Sequence, residues 1–215
     1  MKIEYFGHSC FRITSNKGTQ LVTDPYTKVG YELPSSFSAD IVTVSHEHFD
    51  HNYTQGVKNV KVVLSNVEAY AYKDIAATGF LCNHDEKGGV LRGKNIVFTI
   101  SVDGVKICHL GDLGEPCSAT LLSKIGNPDV LLIPVGGTYT IDALQAKEYV
   151  EKLQPKLVIP MHYKPSDGKL DITDEKSFLQ RFDEVVYAPK NEAIDITEYL
   201  SDKMRILFME RKTNA

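Results

Sequence analysis

The octapeptide SHEHFDHN, residues 45–52, places His46, Glu47, His48, Asp50 and His51 within six positions. Charged side chains of this kind repel one another, and burying them together gains nothing unless something bound holds them. In extended chain, residues two apart point the same way, so His46 and His48 can share one cation. Asp50 and His51 are adjacent and point together only if the chain turns, which would aim them at a second, neighbouring position. The pattern H-x-H-x-D-H is thus suited to two divalent ions. Imidazole and carboxylate ligands suit zinc, and also iron or manganese. Two ions need more donors than one short motif supplies. His84 in FLCNHDEKGG, Asp112 in ICHLGDLG and His162 in LVIPMHYK each follow an apolar, strand-like run, where a site built on strand ends would draw its ligands.

The elements that must position these residues are partly legible. Residues 41–45 are apolar and β-branched and read as a strand running into the histidine motif. Up to Leu110 the chain reads as short strands joined by turns: KIEYF, CFRIT, QLVTD, IVTVS, VKVVLS, NIVFTIS and VKICHL. Asp103-Gly104 marks a hairpin turn between the last two. Beyond Leu110, strands and helices alternate. Helical spacing covers residues 118–125, with Ser118 as N-cap and Leu121, Leu122 and Ile125 inward. A second helix covers 141–153, with Leu144, Tyr149 and Val150 inward. A third covers 173–182, with Thr173 and Lys176 in a weak capping pattern. VLLIPV and LVIPMH read as buried strands and MRILFME as a closing strand. The expected class is α/β (α+β), two sheets with helices packed outside, in one domain over residues 1–215. The stretches 25–39 and 65–84 read as irregular.

Composition narrows the function classes. A net charge of −4 gives no electrostatic reason to expect nucleic acid. No apolar run approaches the roughly 18 residues of a membrane span, and the chain leads directly into a strand, without a leader. Cys10, Cys82, Cys108 and Cys117 form no CxxC pair, which fits reduced, mostly buried thiols in a cytoplasmic protein. The oligomeric state stays open.

LVTDP (Asp24), HEHFDH, CNHD, HLGDLG and IPMHY, in that order, resemble the five motifs of the metallo-β-lactamase superfamily. YFGHSCF and PVGGTYTIDALQA resemble its branch of metal-dependent hydrolases that includes ascorbate-6-phosphate lactonase and the N-acyl-phosphatidylethanolamine phospholipases. The resemblance implies a four-layer αβ/βα sandwich with metals at one edge of the sheets. It also implies that His46, His48 and His84 hold one ion, that Asp50, His51 and His162 hold a second, and that Asp112 bridges them. Asp24 would fix the histidine loop by hydrogen bonds. His8 and His109 recur in that branch; His8 reads as supporting or substrate-facing, and His109 equally as a core histidine.

The chemistry expected is hydrolysis. Two divalent ions sharing a hydroxide lower its pKa toward neutrality and stabilise developing charge. Asp50 and Asp112 are the expected catalytic carboxylates, with Asp50 also able to accept a proton. Gly136 and Gly137 could bring backbone N–H donors near. Tyr139, Thr140, Tyr163 and Lys164 are candidates to protonate the leaving group, and Lys164 could instead read an anionic substrate. The favoured target is an ester, lactone or phosphoester of a small molecule, bound with two zinc, manganese or iron ions. A phosphodiesterase or nuclease is the alternative enzyme. A redox di-iron protein or a non-catalytic metal-binding module is the alternative class.

Overall fold

The computed structural model describes residues 1–213, so the last two positions of the expected 1–215 unit lie outside the described residues. The strands are β1 (Lys2–Gly7), β2 (Cys10–Thr14), β3 (Gln20–Thr23), β4 (Ile41–Thr43), β5 (Val62–Leu64), β6 (Ala69–Tyr72), β7 (Ile75–Asn83), β8 (Lys94–Val102) and β9 (Val105–His109). Helix α1 (Ala119–Ile125), β10 (Val130–Pro134), α2 (Ala143–Leu153), β11 (Leu157–Met161), α3 (Lys176–Leu179), β12 (Val185–Tyr187), β13 (Ile194–Asp195) and β14 (Arg205–Phe208) follow. They form an α/β sandwich of two sheets, as expected. One has the order β13-β1-β2-β3-β4-β5, the other β12-β14-β11-β10-β9-β8-β7-β6.

Alternation along the strands divides the core. Ile3, Tyr5, Leu21 and Ile41 face the second sheet and join its apolar residues in one cluster. Their neighbours Phe6, Val22 and Val42 face the other way. That outer face is covered by the irregular stretch 25–39, which supplies Tyr26, Val29, Tyr31 and Phe37. All five residues of β10 and all five of β11 are buried. They pair in parallel and are covered on both faces, which is why their sequences run apolar without alternation.

Strand direction decides where the chemistry goes. In the six-stranded sheet, β1 is antiparallel to β2, β2 to β3, and β3 is parallel to β4. Strands β1, β3 and β4 therefore share one direction, and their C-terminal ends deliver His8, Asp24 and the loop opening at Ser45. In the other sheet β7, β9, β10 and β11 share a direction by the same reasoning. Their ends deliver His84, Asp112, Gly136 and His162. The two edges meet: the His162 amide donates to the His8 carbonyl at 2.7 Å, and the Ile96 amide to the Ser45 carbonyl at 2.8 Å.

Three expectations need correction. Residues 65–84 are not irregular: β6 and β7 form a hairpin there, and β7 pairs with β8 over its full nine residues. Its alternating, half-buried face carries Ala, Thr and Gly, which mask the period-two signal. The third helix shrinks to Lys176–Leu179, because Thr173 does not cap it. Both its amide and its hydroxyl donate to the Gly136 carbonyl instead, at 2.8 and 3.0 Å. Leu144 is 60% exposed. The capping box of Asp142 and Gln145 sets the phase of α2 so that Ala143, Ala146, Tyr149, Val150 and Leu153 form the inward stripe. Helix α1 starts as expected, with the Ser118 hydroxyl accepting the Leu121 amide at 3.2 Å.

Strand β14 lies between β11 and β12, with Ile206, Leu207 and Phe208 buried. Leu207→Ala should therefore cost about 2–5 kcal/mol, read as a lowered midpoint in urea denaturation. Deleting residues from 204 onward should abolish cooperative unfolding.

Candidate metal centre

Asp24 organises the site. It is fully buried and follows β3 at a φ of 37°. Oδ1 accepts the Ser45 amide at 2.8 Å, and Oδ2 accepts both the Ser45 hydroxyl at 2.6 Å and His51 Nδ1 at 2.8 Å. The Ser45 oxygen also lies 2.9 Å from His46 Nδ1. A carboxylate can only accept, so the hydroxyl proton points to Asp24, and His46 Nδ1–H must donate to the hydroxyl oxygen. In neutral imidazoles this places the proton of His46 and of His51 on Nδ1 and leaves both Nε2 lone pairs facing inward. Burial works against the charge on Asp24, but the hydrogen bond from His51 and the nearby His109 hold its pKa below the ordinary value.

Asp112 lies at the focus of those lone pairs. Its oxygens are 3.2 Å from His51 Nε2, 3.2 Å from His162 Nε2, 3.4 Å from His84 Nε2 and 3.9 Å from His46 Nε2. Asn95 fixes the loop: its Oδ1 accepts the Asp112 amide and its Nδ2 donates to the Leu110 carbonyl, both at 2.8 Å. Between them Gly111 adopts a φ of 54°, and a Cβ there would lie 2.4 Å from Asn95 Oδ1. The position accepts only glycine. A Cβ on Gly136 would likewise lie 2.2 Å from the His162 carbonyl oxygen, so that glycine serves the backbone of a metal-ligand candidate.

The donors fall into overlapping groups whose ligand atoms lie within 4.8 Å of one another: His46, His48 and His84; Asp50, His51 and His162 together with His8; and His46, His51 and Asp112. Six of the seven histidines are drawn in. All are buried except His48, which is exposed. Burial and the neighbouring His51 push the pKa of His46 well down, and burial pushes that of His84 down. His8 is pushed down to about 4 by burial and by His162 beside it. Burial also opposes charge on His51, yet Asp112 and Asp24 raise it well above the ordinary imidazole value. Burial disfavours the Asp112 and Asp50 anions, but their histidine partners hold both carboxyls well below the usual range. Anionic oxygens and inward lone pairs are the donor set divalent cations take. His46 Nε2 and His162 Nε2 are buried with no hydrogen-bond partner among the described residues. The residues therefore fit metal ions.

Other expected residues stand elsewhere. His109 ends β9, and its Nε2 bonds to the Ser9 carbonyl at 2.9 Å, as a core histidine would. The Gly137 amide is spent on the Ile141 carbonyl at 3.3 Å, not on a ligand. The Thr140 hydroxyl donates to the same Ile141 carbonyl at 3.1 Å. The Tyr163 hydroxyl donates to the Met209 carbonyl at 3.1 Å, and burial pushes its pKa far up. Tyr139 is exposed beneath the Arg92 guanidinium, and Lys164 lines a cleft of about 590 Å³ with Tyr5, Tyr31 and Arg211. Sequence reasoning missed Ser45, Asn95 and Asp85. Asp85 accepts the amides of Lys87, Gly89, Leu91 and Arg92 at 2.8–2.9 Å and ties down the loop after His84. Burial opposes its charge, but those amides bring its carboxyl down to about 2. Ser45 and Asp85 at least adjoin a motif histidine; nothing in the sequence singles out Asn95.

A family model described as a beta-lactamase superfamily domain matches residues 2–162. A metal-dependent hydrolase of Methanosphaera stadtmanae is 30% identical over 205 residues, 78% of this chain and 86% of its own. Among solved structures, a candidate Zn-dependent hydrolase of the metallo-beta-lactamase superfamily from Thermotoga maritima is 34% identical. It has a TM-score of 0.76, over 97% of this chain and 98% of that one. A metallo hydrolase from Ignicoccus hospitalis shares the fold, with 21% identity and a TM-score of 0.64 over 100% of this chain and 97% of that one.

Asp24→Asn keeps the volume but offers an N–H where His51 or Ser45 now donates. It should weaken metal binding by about 10–100-fold, measured by competition with a coloured chelator, while circular dichroism stays native. Gly136→Ala should cost about 1–3 kcal/mol in thermal unfolding, as the His162 backbone is forced aside.

Proposed function

Since this chain belongs to the metallo-β-lactamase superfamily and is a metal-dependent hydrolase, we propose that it holds two divalent ions and cleaves an ester, lactone or phosphoester bond of a small molecule. The observation carrying this reading is Asp112, whose two oxygens face histidines of both donor groups. His46, His48 and His84 would hold one ion, and Asp50, His51 and His162 the other, with Asp112 shared. Ions held there would supply a hydroxide nucleophile at neutral pH and Lewis-acid stabilisation of the developing oxyanion.

The rest is the work of the side chains. Asp24 orients His51 directly and His46 through Ser45, so that in the neutral form each ring turns its Nε2 lone pair inward. Asp50 and Asp112 stay ionised, which suits ligation and leaves Asp50 a weak proton acceptor. His48, exposed where the other histidines of the cluster are buried, lies on its solvent-facing side. Cys10, Cys82 and Cys108 are buried and unpaired, which supports a reducing, cytoplasmic setting. No helix among the described residues is long and apolar enough to cross a membrane.

The test is metal stoichiometry together with a hydrolysis panel of lactones, amides, phosphodiesters and thioesters, on protein loaded separately with Zn, Mn and Fe. About two ions per chain are expected. His162→Ala should leave one tight calorimetric step and one weak step, and hydrolysis should fall by several orders of magnitude. Two undiminished steps would remove His162 from the ligand set, and no bound metal would overturn the reading.

A further inference from the structure

His8 lies outside the motifs that define the expected ligands, yet its ring stands among them. Its Nε2 is 3.2 Å from Asp50 Oδ2 and 3.2 Å from His51 Nε2. Its ring centroid is 4.1 Å from that of His162. The ligand atoms of His8, Asp50, His51 and His162 all lie within 4.8 Å of one another. Two donors each about 2.1 Å from one ion can be at most about 4.2 Å apart, so a closure of a few tenths of an ångström seats all four around a common centre.

The backbone holds the ring there. The His8 carbonyl accepts the Tyr5 hydroxyl at 2.9 Å and the His162 amide at 2.7 Å. His8 and His162 both sit in the left-handed region, at φ values of 53° and 52°. Such conformations cost energy in a non-glycine residue and persist where the surroundings over-determine them. In its neutral form, the one a cation takes, His51 gives its Nδ1 proton to Asp24 and turns the Nε2 lone pair toward His8. The His8 nitrogen facing it can therefore do one of two things: donate a proton to it or to Asp50, or share a cation with it.

We propose that His8 is the fourth side-chain ligand of the ion held by Asp50, His51 and His162. With Asp112 shared, that ion has five protein donors and a six-coordinate environment, leaving one position for solvent or substrate; the first ion, with three histidines and Asp112, is the less saturated of the two. A five-donor cage departs from the four-coordinate arrangement usual for zinc and suits ions that accept octahedral geometry. This inference rests on the two-ion reading above.

The test uses Co(II) as the probe. In the wild-type protein, proton magnetic resonance should show five hyperfine-shifted imidazole N–H signals protected from exchange, from the buried His8, His46, His51, His84 and His162, besides that of exposed His48. Four protected signals with two cobalt ions bound would overturn the assignment. His8→Asn tolerates the left-handed backbone and is too short to ligate. It should leave the first ion tight, weaken the second by more than the roughly 100-fold of a merely supporting residue, and change the visible absorption of the second cobalt. His8→Gln can still donate to Asp50 and should fail in the same way. Undiminished binding in His8→Asn, or full recovery in His8→Gln, would make His8 a hydrogen-bond donor and not a ligand. Wild-type protein that binds fewer than two ions would instead overturn the two-ion reading and this inference with it. Thermal unfolding of the metal-free variants separates lost ligation from lost folding.

Discussion

One buried carboxylate governs the centre. Desolvating Asp24 is costly, and the cost is offset because both its oxygens accept hydrogen bonds, from the Ser45 amide, the Ser45 hydroxyl and His51. Those same bonds decide where two imidazole protons reside. The arrangement exists because β3 and β4 are parallel and in register, Thr23 beside Thr43, so that the residues following them come side by side. Fold and tautomer are therefore one problem here. A slip of the β3–β4 register would withdraw Asp24 and leave His46 and His51 free to turn the wrong nitrogen inward.

The same economy recurs around the edge. Each sheet sends several strands in one direction, and the first one to three residues after the strand ends begin the chemistry. Several of those positions, His8, Asp24, Gly111 and His162, have positive φ. The chain reverses sharply as it leaves the sheet, so the side chain turns over the edge and does not continue outward. Packing supports these turns from behind: Asn95 under Asp112, Gly136 against His162, Asp85 under the loop after His84.

Much of this was legible in advance, for identifiable reasons. HEHFDH carries ligand types at a spacing that sequence can show, and β10 and β11 are apolar because parallel strands are covered on both faces. The hairpin at Asp103-Gly104 announced itself by its turn chemistry. What escaped depends on partners remote in sequence. Strand β7 was hidden because a half-buried face of Ala, Thr and Gly gives a faint period. Thr173 looked like a cap, but the Gly136 carbonyl, thirty-seven residues away, claims both its donors. Tyr163 follows His162 directly and still points to Met209, since adjacent residues at a strand end face opposite ways. From sequence His8 reads as supporting or substrate-facing; its place beside Asp50, His51 and His162 depends on the fold bringing both sheet edges together.

The candidate donors are gathered from His8 to His162, across both sheets. During vectorial synthesis at about 5–20 residues per second, roughly 8–30 s separate the emergence of the first from the last. HEHFDH emerges long before its partner donors and, if it holds ions as proposed, would bind them only loosely in that interval. Tight capture waits until the edge is assembled, and from then on each bound ion favours the folded chain by mass action. A nascent chain stalled before β11 would thus shed its metal, whereas a completed one would keep it, so metal retention distinguishes finished molecules from unfinished ones.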